Sequence, residues 1–184
     1  MPLPKRKHGR RHVALFGGSF NPPHLGHVEM GRWLLAQAQV DEVWVIPCFL
    51  HPFEKTLAPF DARYAMTLFA FAPCGRGVFV SDVERELGGV SHTIRTVQHV
   101  CKLYPKYQFS LVRGGDIEVE SAPWKDADEI EKLVTMITVP RGPGSPIPNI
   151  SSTDVRACIQ AGKPFDHLVP KSVGVYIITH DLYR

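Results

Sequence analysis

The sequence predicts an α/β protein in which a doubly wound parallel sheet carries helices on both of its faces. Short, mainly apolar runs alternate along the chain with longer segments of helical periodicity, and this alternation is typical of βα units whose sheet is buried on both sides. The 184 residues correspond to one ordinary domain. Because 44% of the residues are apolar and 21% are charged, the chain can bury a core and is not a disordered tail.

Five apolar runs of three to six residues are the predicted strands. Runs of this length without polar alternation, bounded by glycine, proline or polar residues, are typical of fully buried strands. They comprise residues 13–16, 43–46, 78–80, 109–112 and 134–139. Loops are expected over residues 81–90 and 140–148, after the third and the fifth strand.

Helices are predicted between these strands from the spacing of apolar residues and from capping residues. The first is expected over residues 25–38 and the third over residues 93–104. The expected first residues or N-caps, in chain order, are Leu25, Asp61, Ser91, Asp126 or Asp128, Ser151 or Ser152, and Pro170. The helix that begins at Ser151 or Ser152 is expected to end at Ala161, with Gly162 at the C′ position.

Unusual residues follow each predicted strand. In a parallel sheet the carboxyl ends of the strands meet at one edge, and ligands bind in the crevice outside that edge. The residues in question are Gly17-Gly18, Pro47, Ser81-Asp82, Gly114-Gly115-Asp116 and Pro140-Arg141. The sequence therefore predicts a binding site at this edge of the sheet.

The net charge of +3 comes from the start of the chain, where residues 1–12 hold five lysines and arginines and no acid. Without them the remaining chain, residues 13–184, has a net charge of −2. Residues 1–12 are interpreted as a basic, disordered arm, or alternatively as a contact with phosphate or an acidic surface. The near-neutral remainder does not favour a nucleic-acid partner.

Composition excludes several other classes of protein. The longest apolar stretch, residues 43–50, is far shorter than the roughly 18 residues of a membrane span. None of the four cysteines is paired at two-residue spacing, which argues against a zinc knuckle or a redox motif. Since no apolar export signal follows the basic arm, we expect a cytoplasmic protein with reduced thiols.

The segment between the first strand and the first helix contains the residues that we expect to bind phosphate. Gly17 and Gly18 allow a tight turn and let a phosphate approach the backbone N–H groups. The helix that follows offers unpaired N–H groups and a positive dipole end. His24 and His27 are three residues apart and lie on one face of its first turn. Gly26 between them leaves room for a base or a sugar close to the backbone.

This segment, Gly-Gly-Ser-Phe-Asn-Pro followed by His24-x-Gly26-His27, resembles the nucleotidyltransferase superfamily that has the His-x-Gly-His motif. It is most similar to the bacterial nicotinate-nucleotide adenylyltransferase family. A second signature, Ile-Ser-Ser-Thr-Asp-Val-Arg from Ile150 to Arg156, resembles the Ile-Ser-Ser-Thr-x-x-Arg motif of that family. The resemblance runs from Val13 to Tyr183 and implies a Rossmann-like domain of the nucleotidyltransferase type.

Weaker matches and some departures lie between the two signatures. The matches are His51-Pro52-Phe53-Glu54-Lys55, Ser81-Asp82 with Glu84, Gly88 to Thr93, Gly114-Gly115-Asp116, Trp124 and Pro140-Arg141. His51 precedes the proline of its loop, His92 replaces a tyrosine, and Gly115 replaces an alanine. The link from Arg141 to Ile150 is shorter than is usual in the family.

The resemblance implies adenylyl transfer from ATP, with Mg²⁺, to nicotinate mononucleotide, giving deamido-NAD and pyrophosphate. It assigns the catalytic and phosphate contacts to His24, His27, Lys55 and Arg156. It assigns ATP binding to Gly17, Gly18, Ser19, Phe20, Gly26, Asp116, Ile150, Ser151, Ser152 and Thr153. It assigns the acceptor pocket to Thr93, Trp124 and Arg141. No residues are assigned as metal ligands.

Each assignment has a structural alternative. The Ser151-Ser152-Thr153 segment is alternatively a simple helix cap, and Trp124 a core residue. Alternatively, Lys55 is a solvated loop charge, Asp116 is a turn residue, and Arg141 is a surface arginine. Other acceptors are nicotinamide mononucleotide, phosphopantetheine, or a polyol phosphate with CTP in place of ATP. A non-catalytic nucleotide-binding regulator is the alternative from another class of protein, and a homo-oligomer is left open.

Overall fold

The computed structural model describes residues 10–53, 56–114, 126–140, 142 and 144–184. Within these ranges one parallel sheet of five strands has the order β3-β2-β1-β4-β5. The strands are β1 (His12–Gly18), β2 (Glu42–Pro47), β3 (Val78–Val80), β4 (Gln108–Gly114) and β5 (Thr135–Val139). The order reverses between β1 and β4, the place where ligands bind in sheets of this kind.

Helices alternate with these strands and confirm the predicted α/β fold. They are α1 (Leu25–Gln37), α2 (Phe60–Phe71) with a 3₁₀ turn at Ala72–Cys74, α3 (Val83–Leu87), α4 (Thr93–Leu103), α5 (Ala127–Leu133), α6 (Ser152–Gln160) and α7 (Lys171–Thr179).

No helix within the described ranges has both the length and the apolar composition that crossing a bilayer requires. All four cysteines are free thiols.

The central strand β1 separates two apolar cores. Successive side chains of a strand point to opposite faces of the sheet. Ala14 and Phe16 pack into the core formed with α1, α2, α6 and α7, whereas Val13 and Leu15 pack into the core formed with α3, α4 and α5. Both faces of the sheet are therefore covered, which explains why the strands have no polar alternation in the sequence.

One additional helix and two helix N-caps differ from the sequence-based expectation. Residues 81–90, which were expected to form a loop, contain α3. This helix has five residues and buries only Val83, so its sequence shows no periodic spacing of apolar residues. Helix α2 has Pro59 as its N-cap, and Asp61 lies in the first turn, where its charge favours the helix dipole. Helix α4 has His92 as its N-cap, because the Ser91 hydroxyl accepts a hydrogen bond from Phe49 N instead.

The predicted end of α6 is confirmed. Gly162 has a positive φ of 62°, the conformation in which glycine is favoured at C′. Its N–H donates to the carbonyl of Ile159, and the N–H of Lys163 donates to the carbonyl of Cys158. These two hydrogen bonds are those of a Schellman motif, which satisfies carbonyls that the last turn of a helix leaves unpaired.

Arg63 on α2 holds together the segments that follow β1 and β2. The side chain is only 1% exposed. Its Nη1 donates to the carbonyls of Ser19 at 2.9 Å and Cys48 at 2.7 Å. Its Nε donates to the carbonyl of Ala58 at 2.9 Å, and its Nη2 donates to the carbonyl of Phe49 at 3.2 Å. One guanidinium thus fixes three stretches of backbone around the carboxyl edge of the sheet.

The position of Arg63 is visible in the sequence as a charge within an apolar stripe. Arg63, Met66, Thr67 and Ala70 are all buried, at the i, i+3, i+4, i+7 spacing of one helix face. Burial removes water from the guanidinium and lowers its pKa, although arginine stays charged at working pH. The carbonyl oxygens replace the lost water, because a buried charge must be hydrogen-bonded.

Replacing Arg63 by alanine is expected to lower the free energy of unfolding by about 3 kcal/mol, since buried carbonyls lose their charged donor. For a chain of this length that corresponds to a fall in Tm of roughly 6–12 °C, measurable by thermal or urea unfolding. The control is Arg85→Ala, which removes exposed ion pairs with Asp61 and Asp82 and should cost less than about 1 kcal/mol. Equal losses in the two variants would contradict the role given to Arg63.

Candidate active site

The starts of α1 and α6 lie side by side at the carboxyl edge of β1. The Ser152 hydroxyl donates to the carbonyl of Pro22 at 2.8 Å. The Arg156 Nη1 donates to the carbonyl of Asn21 at 2.7 Å. Both acceptors belong to the segment that leads from β1 into α1. Two helix N-termini, where the helix dipole favours an anion, therefore border one site. In α1 the N–H of Leu25 already donates to the carbonyl of Leu168 and that of His27 to the carbonyl of His24, so α1 contributes chiefly its dipole and the histidine side chains.

His24 and His27 form a close pair at the start of α1. His24 is the N-cap and is 2% exposed. Its backbone N–H donates to His27 Nδ1 at 3.2 Å, and the two ring centroids are 3.7 Å apart. Since Nδ1 of His27 is an acceptor, the proton of a neutral His27 ring lies on Nε2. The Nε2 edge of His27 is consequently a hydrogen-bond donor.

Phe20 supports the histidine pair from within the core. Its side chain is 1% exposed, and its ring centroid lies 4.9 Å from that of His27 and 5.5 Å from that of Phe16. Phe20 has a positive φ of 46°, which turns the chain sharply after Ser19. The family resemblance assigns Phe20 to ATP binding, which stays a prediction; the structure places its side chain against the ring of His27.

The glycines of the motif serve different purposes. A Cβ at Gly17 would have no atom within 4 Å, so the space above this backbone is open. A Cβ at Gly18 would lie 3.1 Å from the ring of Phe20. At Gly26 it would lie 3.0 Å from the His24 ring and 3.0 Å from the carbonyl of Pro148. The position of a Cβ at Gly26 is thus filled by neighbouring atoms of the chain, whereas that at Gly17 is open; the contact of Gly26 with a base or sugar stays a prediction.

The first turn of α6 combines a helix cap with unpaired donors. Ser151 is the N-cap, and its hydroxyl donates to Asp154 Oδ2 at 2.7 Å and accepts from the Asp154 N–H at 3.1 Å. The hydrogen bonds from Ser151, aided by the nearby charge of His24, lower the pKa of Asp154. Ser151 therefore acts as a cap, while the N–H groups of Ser152 and Thr153 have no partner within the helix.

Arg156 and Ile150 have structural contacts as well as their predicted roles. Besides its bond to Asn21, the Arg156 guanidinium donates through Nη2 to Thr153 Oγ1 at 3.2 Å. The Ile150 N–H donates to the carbonyl of Pro148 at 3.0 Å, and its side chain packs against the core of α1 and α6. Both residues shape the start of α6.

A cavity of about 230 Å³ opens on the other side of the glycine turn. It lies against the core of α3 and α4, and Gly17, Gly18, Ser19 and Thr93 contribute to its lining. Much of the remaining wall is apolar and comes from Leu15, Ile46, Val97, Leu111 and Val112. Apolar walls with a few polar groups at one end are typical of pockets for small flat ligands.

Thr93 is the first residue of α4, so the cavity meets a third helix N-terminus. The N-cap residue, His92, makes no side-chain cap hydrogen bond, and the first turn of α4 contains no acidic residue. The N–H of Arg95 already donates to the carbonyl of His92 at 2.9 Å, so it is the N–H groups of Thr93 and Ile94 that keep their capacity to bind an anion. This feature could not be found from the sequence, which favoured Ser91 as the cap.

Glu84 belongs to the segment whose sequence resembles the family's loop at the pyridine ring, although no role of its own was assigned to it. It lines the cavity, where Oε2 accepts from the N–H of Phe49 at 3.2 Å and Oε1 accepts from the hydroxyl of Thr96 at 3.0 Å. The N–H of Ser91 donates to the carbonyl of Leu50 on the same side of the cavity. These bonds join α3, α4 and the segment after β2 into one wall.

Some predicted residues cannot be placed. Lys55, Asp116, Trp124 and Arg141 lie outside the residues that the structure describes. Their assignments stay predictions. Within the described ranges, no group of three or more histidine, cysteine, aspartate and glutamate side chains could hold a metal ion.

Known proteins resemble this chain along most of its length. Residues 15–158 match the family model described as Cytidylyltransferase-like. The chain is 44% identical to the "Probable nicotinate-nucleotide adenylyltransferase" of Anaeromyxobacter dehalogenans strain 2CP-C, over 96% of this chain and 98% of that protein. It is 35% identical to the Myxococcus xanthus protein of the same description, over 93% of this chain and 94% of that protein.

A solved structure supports the same fold. The nicotinic acid mononucleotide adenylyltransferase of Plasmodium falciparum, complexed with NaAD, has a TM-score of 0.75 and is 20% identical, with coverage of 95% of this chain and 98% of that chain. At this identity the likeness concerns the fold alone. The family model and the two bacterial relatives go further, and they show that this chain belongs to the cytidylyltransferase-like proteins and, among them, to the nicotinate-nucleotide adenylyltransferase family.

Proposed function

We propose that this chain transfers the adenylyl group of ATP to nicotinate mononucleotide, giving deamido-NAD and pyrophosphate for NAD biosynthesis. The observation that carries the proposal is the hydrogen-bonded junction between the starts of α1 and α6, with an apolar cavity across the Gly17–Ser19 turn. Such a junction suits a polyphosphate, and the cavity suits a flat ring. The turn between them is where the two substrates would meet.

The phosphate side of the site supplies donors to the transferring group. We infer that the N–H groups of Ser152 and Thr153 and the Nε2–H of His27 contact the phosphates of ATP. Negative charge grows on the phosphate oxygens as pyrophosphate leaves, and donors held in place before the reaction stabilise that charge most effectively. The hydrogen bonds from Arg156 and Ser152 to the segment before α1 hold these donors in fixed positions relative to one another.

The reaction needs no nucleophile from the protein. A phosphate monoester has a second pKa of about 6, so the acceptor phosphate is largely a dianion at neutral pH. One of its oxygens attacks the α-phosphorus of ATP, and the bond from that phosphorus to the bridging oxygen of the β-phosphate breaks. The electron pair of that bond leaves with pyrophosphate. The protein contributes alignment of the reacting atoms and stabilisation of charge.

Magnesium fits this site as part of the ATP complex. The described residues form no cage of metal-ligating side chains, and imidazoles such as those of His24 and His27 are not ligands that Mg²⁺ favours. Mg²⁺ commonly keeps several waters and binds through substrate phosphates with one or two carboxylates. When bound, it would neutralise phosphate charge. By the family resemblance, the carboxylate of Asp116 would bind the ribose hydroxyls of ATP or help to order the metal.

The acceptor side of the site favours a ring that carries a carboxylate. We infer that the nicotinate ring occupies the cavity and that its carboxylate faces the start of α4, near Thr93. An anion at a helix N-terminus is stabilised by unpaired N–H groups and by the dipole, whereas the neutral amide of nicotinamide gains less. Trp124 and Arg141 keep the acceptor roles, and Lys55 the phosphate role, that the family resemblance implies.

His27→Ala should reduce turnover by about 100-fold or more, the usual cost of removing a donor that stabilises developing charge. The measurement is pyrophosphate release with ATP, Mg²⁺ and nicotinate mononucleotide. His99→Ala is the matched control, because His99 lies within α4 and away from the histidine pair. Near-normal turnover of the His27 variant would contradict the mechanism.

Gly17→Ala should preserve the fold and impair the reaction. The added Cβ meets no atom within 4 Å, so Tm should stay within about 2 °C of the wild type. If a substrate approaches this backbone, the methyl group collides with it, and kcat/KM should fall at least about tenfold, or 1.4 kcal/mol. Unchanged steady-state kinetics would show that neither substrate approaches Gly17.

His92→Asp tests how the acceptor is chosen. An aspartate at the N-cap should stabilise α4 by about 0.5–2 kcal/mol, but its carboxylate would compete with that of nicotinate. We expect a higher Tm and a higher KM for nicotinate mononucleotide, with a smaller preference over nicotinamide mononucleotide. His92→Asn caps the helix without a charge and is the control. If both variants keep the wild-type preference, the carboxylate does not bind at α4.

A further inference from the structure

The segment after α7 is folded back toward the phosphate side of the site. Helix α7 ends in a second Schellman motif, in which the N–H of Leu182 donates to the carbonyl of Ile177 at 3.1 Å and the N–H of Asp181 donates to the carbonyl of Ile178 at 3.3 Å. Asp181 occupies the left-handed C′ position with a φ of 52°. The motif reverses the chain, so that the next residues run back along the core of α1 and α6.

The reversal brings Tyr183 into contact with Asn21, in the segment before α1. Its hydroxyl donates to Asn21 Oδ1 at 3.0 Å, across 162 residues of sequence. Tyr183 has a φ of 68°, a left-handed conformation that is disfavoured for a bulky side chain. Backbone strain of this kind persists only where surrounding contacts hold it, and it gathers at functional sites. Burial also raises the pKa of Tyr183, so the phenol stays a donor at working pH.

Asn21 fixes the segment before α1, because it accepts hydrogen bonds from three different parts of the chain. Its side chain is buried, with 3% exposure. Its Oδ1 accepts from the hydroxyl of Tyr183 and from the N–H of Ala58 at 2.9 Å. Its backbone carbonyl accepts from Arg156 Nη1 at 2.7 Å. Since a carbonyl oxygen has two acceptor sites, Tyr183 and Ala58 together saturate the side-chain oxygen of Asn21.

We propose that Tyr183 is a positioning residue for adenylyl transfer, acting through Asn21 on the histidine pair. Asn21 lies three residues before His24, and its carbonyl is tied to the start of α6 through Arg156. A shift of Asn21 therefore moves His24 and the α6 donors relative to one another, and misplacement by about 1 Å is enough to cost a large factor in rate. This inference rests on the proposed function.

Tyr183→Phe removes the hydroxyl and keeps the ring. We expect kcat/KM for ATP to fall about tenfold, while KM for nicotinate mononucleotide changes less than about twofold because the acceptor cavity lies on the other face of the sheet. Tm should fall by no more than roughly 2–4 °C, the effect of one hydrogen bond in a chain of this length. A merely structural role would raise both KM values together or leave them both unchanged, and either result would overturn the proposal.

Tyr104→Phe is the matched control. Tyr104 follows α4 and packs against Trp44 and Tyr107, near neither substrate, so this variant should retain wild-type kinetics. A comparable loss in this control would overturn the proposal.

A double variant tests whether the effect passes through the histidines. In the His27→Ala background, Tyr183→Phe should lower kcat/KM for ATP by less than about threefold, because residues that act as a unit are not additive. The full tenfold loss there would overturn the proposed route.

Calorimetric titration with ATP separates the two proposals. If the wild type turns over no acceptor, adenylyl transfer fails, but the coupling of Tyr183 to the phosphate site is still measurable. Weaker ATP binding by Tyr183→Phe, about fivefold or more relative to Tyr104→Phe, would support the coupling. Equal ATP affinity of these two variants would overturn it.

Discussion

The site depends on the hydrogen bonds that hold two helix N-termini together. Each terminus carries about half a positive charge from its dipole, and Arg156 adds a full one, so the starts of α1 and α6 repel each other. The bonds from Ser152 to Pro22 and from Arg156 to Asn21 oppose that repulsion. The carboxylate of Asp154 supplies a counter-charge beside the Ser151 cap. A polyanion that entered the junction would relieve the repulsion further, and this would favour the phosphate contacts proposed for ATP.

Buried polar side chains position the loops around this junction. Arg63 binds four carbonyls from the segments that follow β1 and β2 or precede α2. Asn21 binds donors from three different elements. Glu84 performs the same task in the wall of the cavity. Hydrogen bonds are directional, whereas apolar packing is not, so these side chains fix the loops more narrowly than the core alone can.

The fold was largely predictable, because burial of the sheet on both faces leaves a plain alternation of apolar runs and helical segments. The histidine pair was predictable too, since His24 and His27 are three residues apart and a single helix turn brings them together. Helix α3 was not, because it buries a single side chain. Arg63 left a signal, a charge on a buried helix face, that points to a partner without identifying it.

The remaining parts of the site depend on contacts between distant segments. The burial of Phe20 beneath His27 and the filling of the space beside Gly26 by Pro148 require knowledge of which segments meet. The same is true of the bond between Tyr183 and Asn21, whose partners are separated by 162 residues. Sequence patterns report local periodicity, and they carry no such information in a single chain.

The alternation of β1 between two cores has a consequence for how such an enzyme can diversify. Phe16 faces the layer of α1 and α6, which would hold ATP, while Leu15 faces the layer of α3 and α4, which would hold the acceptor. The sheet thus separates the two compartments, and the Gly17–Ser19 turn borders both of them. Substitutions in the acceptor compartment can remodel it while the other compartment stays intact, so one scaffold can keep a single donor and exchange its second substrate.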